Sequence, residues 1–425
     1  MAETSFQAGS KIVHIPRRFT RSSWGGTESV VLNLSDQLNV LGHDSSIWTT
    51  QALDPRPAET MGRSSVLRFS YFYPFIGLSR ESKLQMDRKG GNLFSLSILW
   101  RLLREKSLSI IHLHTGNRLG AIARVVARLR RIPYVVSVHG GVLNTTASEL
   151  ESFKEPAKGA WDYGKILGLL LGARKVYDDA DAIHCVNASE AESFRRKYPG
   201  KPVFYIPNGV DLERLSLGEG RRFRETHGIP PGMFLMGCIS RIDPQKNQLL
   251  LVEAFERLAG GNPALCLLLA GATTDSGYRG KIEALVEKSR FRDRIFLLGG
   301  LDPMTGELAD AFAALDLFVL PSRHEPFGIV ILEAWAAGCP VIASPVGGVP
   351  SFTRDFENVL WFEEGSLENL VDRIQLVLAD APLRERISEA ALREVHQSYG
   401  WPQIAQKVVE MYGCARDHRM NARGG

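Results

Sequence analysis

Long apolar runs are missing from this chain. The longest candidate, Ile166 to Ala173, falls far short of the ~20 residues a bilayer-crossing helix needs. Cysteine is scarce. The five residues, Cys185, Cys238, Cys266, Cys339 and Cys414, are odd in number and scattered, and most sit in apolar strand-like runs. That excludes a disulfide framework and paired metal spacing, and reads as reduced thiols in a cytosolic protein. The first residues, MAETSFQAGSK, lack the basic and then apolar pattern of a signal peptide. A cytoplasmic location is therefore expected, and the sequons at Asn33, Asn144 and Asn187 are read as chance. There is no GxGxxG and no GK[ST], so a dinucleotide cofactor and a P-loop receive little support. Low-complexity segments and short repeats are absent as well.

What is present is globular. The chain has 425 residues, 44% hydrophobic and 23% charged, which is too long for one core and suits two domains of roughly 200 residues. Its net charge of +4 is unevenly spread: residues 1–205 carry +10 and residues 206–425 carry −6. The first half should attract anions or an anionic surface. Short apolar runs such as KIVHIPR, IIHLHT, YVVSVHG, FLMGCISRI, ALCLLLAGA and LDLFVLPS alternate with amphipathic stretches. That pattern predicts an α/β chain with two Rossmann-like, doubly wound parallel-sheet domains facing a cleft. The expected divisions are 1–207, then 208–396, a last helix over 397–415, and a frayed tail from 416. Within the first half, Ile122, Val125, Val126 and Leu129 are expected on one helical face, with Arg124 and Arg128 largely away from it. Ser189 and Glu192 suggest a capping box.

In such sheets ligands collect beyond the carboxyl ends of the strands, and four segments there carry chemistry. In LDLFVLPSRHEPFGIVILEAWAAGC a strand ends near Pro321, and a helix is expected from about Phe327 to Ala337. Its free N–H groups suit a phosphate. Glu325 stands in the loop and Glu333 within the helix, spaced to hold two hydroxylated groups on either side of a diphosphate; a capping carboxylate and a solvated helix residue would give the same pattern. In SRIDPQKN, Arg241 and Lys246 could reach that diphosphate, or be two surface cations. Gly25 and Gly26, after the first strand, allow backbone to approach a ligand. His139 ends a strand and precedes two glycines. His112 and His114 would share a strand face, but a metal site needs a third ligand that the sequence does not identify.

Together these segments, in this order, resemble glycosyltransferase family 4: GGTE, SVHGG, IPNGVD, SRIDPQKN and EPFGIVILEAWAAGCPVIAS. The resemblance implies a retaining transferase of GT-B architecture that needs no bound metal or other cofactor. It matches Arg241 and Lys246 to the pair gripping the donor diphosphate, Glu325 to the group reading the donor sugar, and Glu333 to the group holding the ribose. Phe327 and Gly328 match positions whose backbone faces sugar and phosphates, with Pro326 and Ile329 beside them. Gly26, with Gly25, matches the glycine loop near the phosphates, His139 the histidine near the reacting sugar, and Leu298 the region of base recognition. The final helix is expected to pack back on the first domain.

The expected reaction moves a hexose from a UDP- or GDP-sugar to a glycan or polyprenyl-diphosphate-linked acceptor. Arg17, Arg18, Arg21, Arg80, Lys83, Arg88, Lys89 and the arginines of 124–131 are either a contact with an anionic membrane at its inner face or ordinary solvated helix faces. Nucleic acid is not expected as a partner. The aromatic stretch Phe69 to Leu78 is either such a surface or core. Rival readings are an epimerase or phosphorylase on the same fold, or a non-catalytic nucleotide-sugar-binding protein.

Overall fold

The computed structural model describes residues 6–21, 24–140, 158–302 and 305–421. Ser22, Ser23, Gly141 and the Asn144 sequon lie outside the described residues. The chain forms two compact units, residues 1–207 with 401–425, and residues 208–400.

In the first unit the strands are β1 (Lys11–Ile15), β2 (Asp44–Thr50), β3 (Ala58–Met61), β4 (Ser64–Phe69), β5 (Phe75–Ile76), β6 (Leu108–Leu113), β7 (Tyr134–Val138), β8 (Trp161–Asp162), β9 (Ala182–Cys185) and β10 (Val203–Tyr205). Eight of them form one sheet in the order β10-β9-β7-β6-β1-β2-β4-β3, while β5 and β8 make a two-stranded patch. Every pair in the large sheet is parallel except β3 with β4. Strand order reverses between β1 and β6. The helix Gly26–Val40 follows β1 and Asn117–Arg130 follows β6.

The second unit carries β11 (Phe234–Ile239), β12 (Leu265–Ala270), β13 (Ile295–Leu298), β14 (Leu317–Leu320), β15 (Val341–Ala343) and β16 (Leu360–Trp361). All are parallel, in the order β13-β12-β11-β14-β15-β16. This is the doubly wound order 3-2-1-4-5-6, with its switch point between β11 and β14. β12, LCLLLA, is buried at every residue, as expected of a strand covered on both faces.

Several expectations shift. Residues to 400 belong to the second unit, because Val210 N–H donates to Tyr399 O at 2.8 Å and Val210 bridges Gly400. The last helix is Trp401–Asn421, so the tail expected from 416 is helical to 421. Its end is held by Arg419, 3.3 Å from the buried Asp181 carboxylate and donating to Ile132 O at 3.1 Å. In the helix Asn117–Arg130 the buried stripe is Leu119, Ile122, Ala123, Val126 and Ala127. Leu129 is 71% exposed, and Arg124 is buried against Asp179. Leu129 stands at the margin of that stripe, in the last turn of the helix. The capping box at Ser189 is replaced by Asn187. Its Oδ1 accepts from Glu190 N at 2.8 Å, and Ser189 Oγ donates to that oxygen instead. The stretch Phe69–Leu78 lies at the margin of the core, with Phe69, Tyr71, Phe75 and Leu78 half-buried against it. Tyr73 is buried and donates to Asp87, whereas Ile76 is exposed.

Candidate functional site

The switch point of the second unit gathers the residues singled out after β11 and β14. Past β11, Asp243 caps the short turn Pro244–Lys246, accepting from Gln245 N at 2.9 Å. Asn247 then takes a left-handed φ of 54° before the helix Gln248–Ala259. This tight reversal turns Lys246 inward, where it is 8% exposed. Past β14, the loop brings in Glu325, 6% exposed. Lys246 Nζ donates to Glu325 Oε2 in a buried ion pair. The two loops are also tied through backbone, with Arg323 N–H donating to Gln245 O at 2.9 Å.

Arg241 stands in the same loop as Lys246, with its side chain about half exposed and Asp243 4.0 Å away. Its guanidinium is thus accessible, whereas the Lys246 ammonium is enclosed. Gln248, which the sequence reading passed over, holds the first loop. Gln248 Nε2 donates to Ser240 Oγ at 3.1 Å and to Arg241 O at 2.7 Å. The Gly347–Gly348 pair holds the second. Gly348 N–H donates to Glu325 O at 2.8 Å. A Cβ on Gly347, whose φ is +58°, would sit 2.1 Å from Glu325 O. A glycine pair directly after a strand was the signal that marked Gly25 and Gly26, and SPVGGVP carries it too.

The helix after this loop is Ile329–Ala336, shorter than the expected 327–337. Gly328 is its N-cap at φ 99°, a left-handed turn that keeps Pro326 and Phe327 outside the helix. No side chain caps its first turn, so its leading N–H groups remain an anion site. Phe327 is anchored by its ring, stacked on Phe352 at 4.7 Å. The later helix start also moves Glu333, which sits about 6 Å along the axis from Ile329 instead of two turns in. Burial pushes the Glu333 carboxyl up to about 7, against the pull of Arg214. Leu298 ends β13, the edge strand, two strands away from β11.

In the first unit, Gly25 is the N-cap of Gly26–Val40, again with no side-chain cap. Glu28, not assigned a role from sequence, is buried there and paired with Arg18 at 3.3 Å. His139 follows β7 and is partly exposed, with Nε2 2.9 Å from His114 Nδ1. The third histidine that sequence could not find beside His112 and His114 is His14, on β1. A cavity of about 380 Å³ beside Ser10, Ser109 and Pro133 opens at the amino ends of strands, as does one of about 660 Å³ beside Gly232 and Asp316. Ligands gather at the opposite ends in this architecture.

Two outcomes follow from the second unit. Lys246→Ala leaves Glu325 buried and unpaired, and should destabilise the protein by about 3 kcal/mol. The double variant Lys246→Met with Glu325→Gln should regain most of that loss in urea unfolding; equal losses in both would mean the pair is not buried in solution. For Glu333, the folded carboxyl lies above its unfolded value of 4.5. Its stabilising contribution is therefore complete below pH 4.5 and is lost as pH rises through about 7. Glu333→Gln should thus gain stability over wild type at pH 8 but not at pH 4, and an unchanged difference across that range would contradict the burial.

Residues 24–214 match the model for Glycosyltransferase Family 4, and residues 220–394 match that for Glycosyl transferases group 1. A D-inositol 3-phosphate glycosyltransferase of Actinosynnema mirum is 30% identical over 279 residues, covering 64% of this chain and 66% of the relative, just short of two thirds. The enzyme of that name from Corynebacterium glutamicum is 27% identical, covering 92% of both chains. Among solved structures, Anabaena HepE in complex with UDP and glucose superposes with a TM-score of 0.69 at 18% identity, over 95% of this chain and 99% of that one. Sucrose-phosphate synthase from Thermosynechococcus elongatus gives 0.71 at 22%, over 95% and 98%. The two family models follow one another along residues 24–394 and between them cover most of both units, so the chain belongs to glycosyltransferase family 4, the retaining glycosyltransferases of GT-B fold.

Proposed function

We propose that this chain transfers a hexosyl group, with retention, from a nucleoside-diphosphate sugar to a phosphate-bearing glycan or lipid-linked acceptor. The observation that carries this is the meeting of Lys246 and Glu325, from the loop that also bears Arg241 and the loop that leads into the uncapped helix at Gly328. Breaking a sugar–phosphate bond leaves negative charge on the departing diphosphate and positive charge on the ring. Lys246, Arg241 and the leading N–H groups of Ile329–Ala336 are fixed positive groups suited to that diphosphate. Before the donor arrives, Glu325 neutralises Lys246. On binding, the ammonium turns to phosphate and the freed carboxylate accepts from a sugar hydroxyl, so neither charge is left buried alone. Glu333, further along the same helix, is assigned the ribose. Same-face attack, with the departing phosphate taking the acceptor's proton, needs no enzymic nucleophile.

HepE has been captured with UDP-glucose, which favours a UDP-sugar donor here. The relatives' name, D-inositol 3-phosphate glycosyltransferase, favours an acceptor bearing phosphate. An epimerase would turn over donor alone, and a phosphorylase would require free phosphate. The donor is tested by thermal melting against UDP, GDP, ADP and their hexose conjugates. A true donor at a hundredfold its Kd should add about 2.7 kcal/mol of apparent stability. Arg241→Ala, whose side chain is half exposed, should fold normally and lose most of that gain. Wild-type-like binding by this variant would remove the diphosphate assignment.

A membrane-linked acceptor is favoured by a different feature from the basic residues first considered. Of those, Arg17 and Arg130 donate to backbone carbonyls, Arg18 pairs with Glu28, and Arg124 and Arg128 with Asp179. The exposed apolar side chains of the first unit instead include Ile76 and Trp161, paired across β5 and β8, and Ile166, Leu169 and Leu170 in the following helix Gly164–Leu170. Lys165, Arg174 and Lys175 are exposed around them. An apolar face rimmed by cations fits an anionic interface. No helix among the described residues is long and apolar enough to cross a membrane. The protein should sediment with anionic vesicles at low salt, and Leu169→Ser with Leu170→Ser should weaken this without loss of stability. Failure of the wild type to bind removes the membrane reading.

A further inference from the structure

Five histidines, His14, His112, His114, His139 and His184, stand on or directly after β1, β6, β7 and β9 of the first unit, and they form two separate hydrogen-bond chains. The polarity of one can be derived completely. His184 Nε2 lies 2.8 Å from Ile206 O, and a carbonyl only accepts, so this nitrogen carries the proton. His184 Nδ1 is then bare and accepts from Ser137 Oγ–H at 2.7 Å. The Ser137 oxygen in turn accepts from His112 Nε2–H at 2.6 Å. His112 Nδ1 is bare and accepts from Tyr412 O–H at 2.7 Å. Both nitrogens of His112 are thereby committed. Burial holds His184 down to about 4 and His112 below its ordinary value, so the imidazoles are neutral, as the derivation requires.

The second chain runs from the interior outward. His14 Nδ1 lies 2.9 Å from His114 Nε2, and His114 Nδ1 lies 2.9 Å from His139 Nε2. His14 is fully buried, and its Nε2 has no hydrogen-bond partner among the described residues. Neutral rings allow two polarities. If protons point inward, His14 is left with an orphaned N–H in the core. If they point outward, it is left with a bare nitrogen. Orphaned buried N–H groups are the rarer and costlier outcome, so the outward polarity is selected. His14 Nδ1–H then donates to His114, His114 Nδ1–H donates to His139, and the only nitrogen His139 has left for a ligand is Nδ1, carrying a proton.

We propose that His14 and His114 are positioning residues that lock His139 into its Nδ1–H tautomer, so that His139 offers a ligand a hydrogen-bond donor and not a base. Free imidazole side chains favour the Nε2–H form, so the chain imposes the less common tautomer. A donor at this position can bind a hydroxyl or phosphate oxygen but cannot take the acceptor's proton. The assignment of that oxygen to a sugar substrate rests on the transferase reading above; the tautomer itself does not. The trio His14, His112 and His114 has nitrogens close enough to suggest a metal. His112 has none to spare, which leaves two ligands, too few for a zinc site.

The test is two-bond ¹H–¹⁵N correlation on the full chain labelled at histidine, with His139 assigned by His139→Gln. His139 should appear as the Nδ1–H tautomer, and His112 and His184 as Nε2–H. His114→Phe, which keeps an aromatic ring but no nitrogen, should return His139 to a mixture dominated by Nε2–H. Turnover of whichever donor raises the melting temperature should fall by roughly ten- to a hundredfold in kcat with little change in KM. A wild-type His139 seen as Nε2–H overturns the proposal whether or not the variant folds. So does a metal bound one-to-one in the purified protein and lost on His14→Phe. If the tautomers are as stated and no nucleotide sugar binds, the histidine chain stands and the transferase reading falls.

Discussion

Lys246 and Glu325 are 79 residues apart in sequence and share one buried contact. A charge pair that far out of water is tolerated only where each partner is delivered with little freedom. That requirement shapes the second unit around its switch point. β11 and β14 must be neighbours, which the 3-2-1-4-5-6 order ensures. The chain must reverse tightly on either side, which Asn247 and Gly328 do with left-handed backbone. The loops must be pinned, which Gln248, Arg323 and Gly348 do through backbone hydrogen bonds. The helix Ile329–Ala336 then begins uncapped beside the pair, so the same geometry that encloses two charges leaves N–H groups free for an anion.

The first unit repeats the topology with a different interior. Strand order again reverses, between β1 and β6, but the polar residues at that seam are imidazoles held neutral by burial. Uncharged rings can share protons along a chain with small desolvation cost, where a second ion pair would need full compensation. Tyr412 on the last helix joins this strip through His112. The helix therefore belongs to the first unit through a specific polar contact as well as through its packing on the helix Gly26–Val40, β7 and β9. Charge divides along the same line, about +12 on the first unit and −8 on the second.

Periodicity and composition made the alternating parallel-sheet pattern legible, because strands covered on both faces must be apolar throughout, as β12 is. The candidate residues after β11 and β14 were legible for a related reason. Polar residues directly past an apolar strand have few structural uses, and glycines beside them signal close backbone approach. Local rules failed where competing local solutions were nearly equal. Asn187 is the cap because it is the last residue in extended backbone and accepts from Glu190 N–H, whereas Ser189 already lies inside the helix. Leu129, near the end of its helix, stayed exposed, while Arg124, expected away from the core, was buried against Asp179 from another segment. Arg17, Arg18, Arg124, Arg128 and Arg130, read as part of a basic surface, proved to be partners for carbonyls and carboxylates whose positions no spacing reveals.

Two α/β halves, the order of their loops and the residue types at strand ends all follow from patterns within a few residues. Which of those loops touch does not; it is set by the packed fold. Lys246 with Glu325, Gly347 on the backbone of Glu325, and His14 with His114 are each set by strand order. Strand order depends on how distant strands compete for neighbours in a sheet, and no local pattern of side chains encodes that choice.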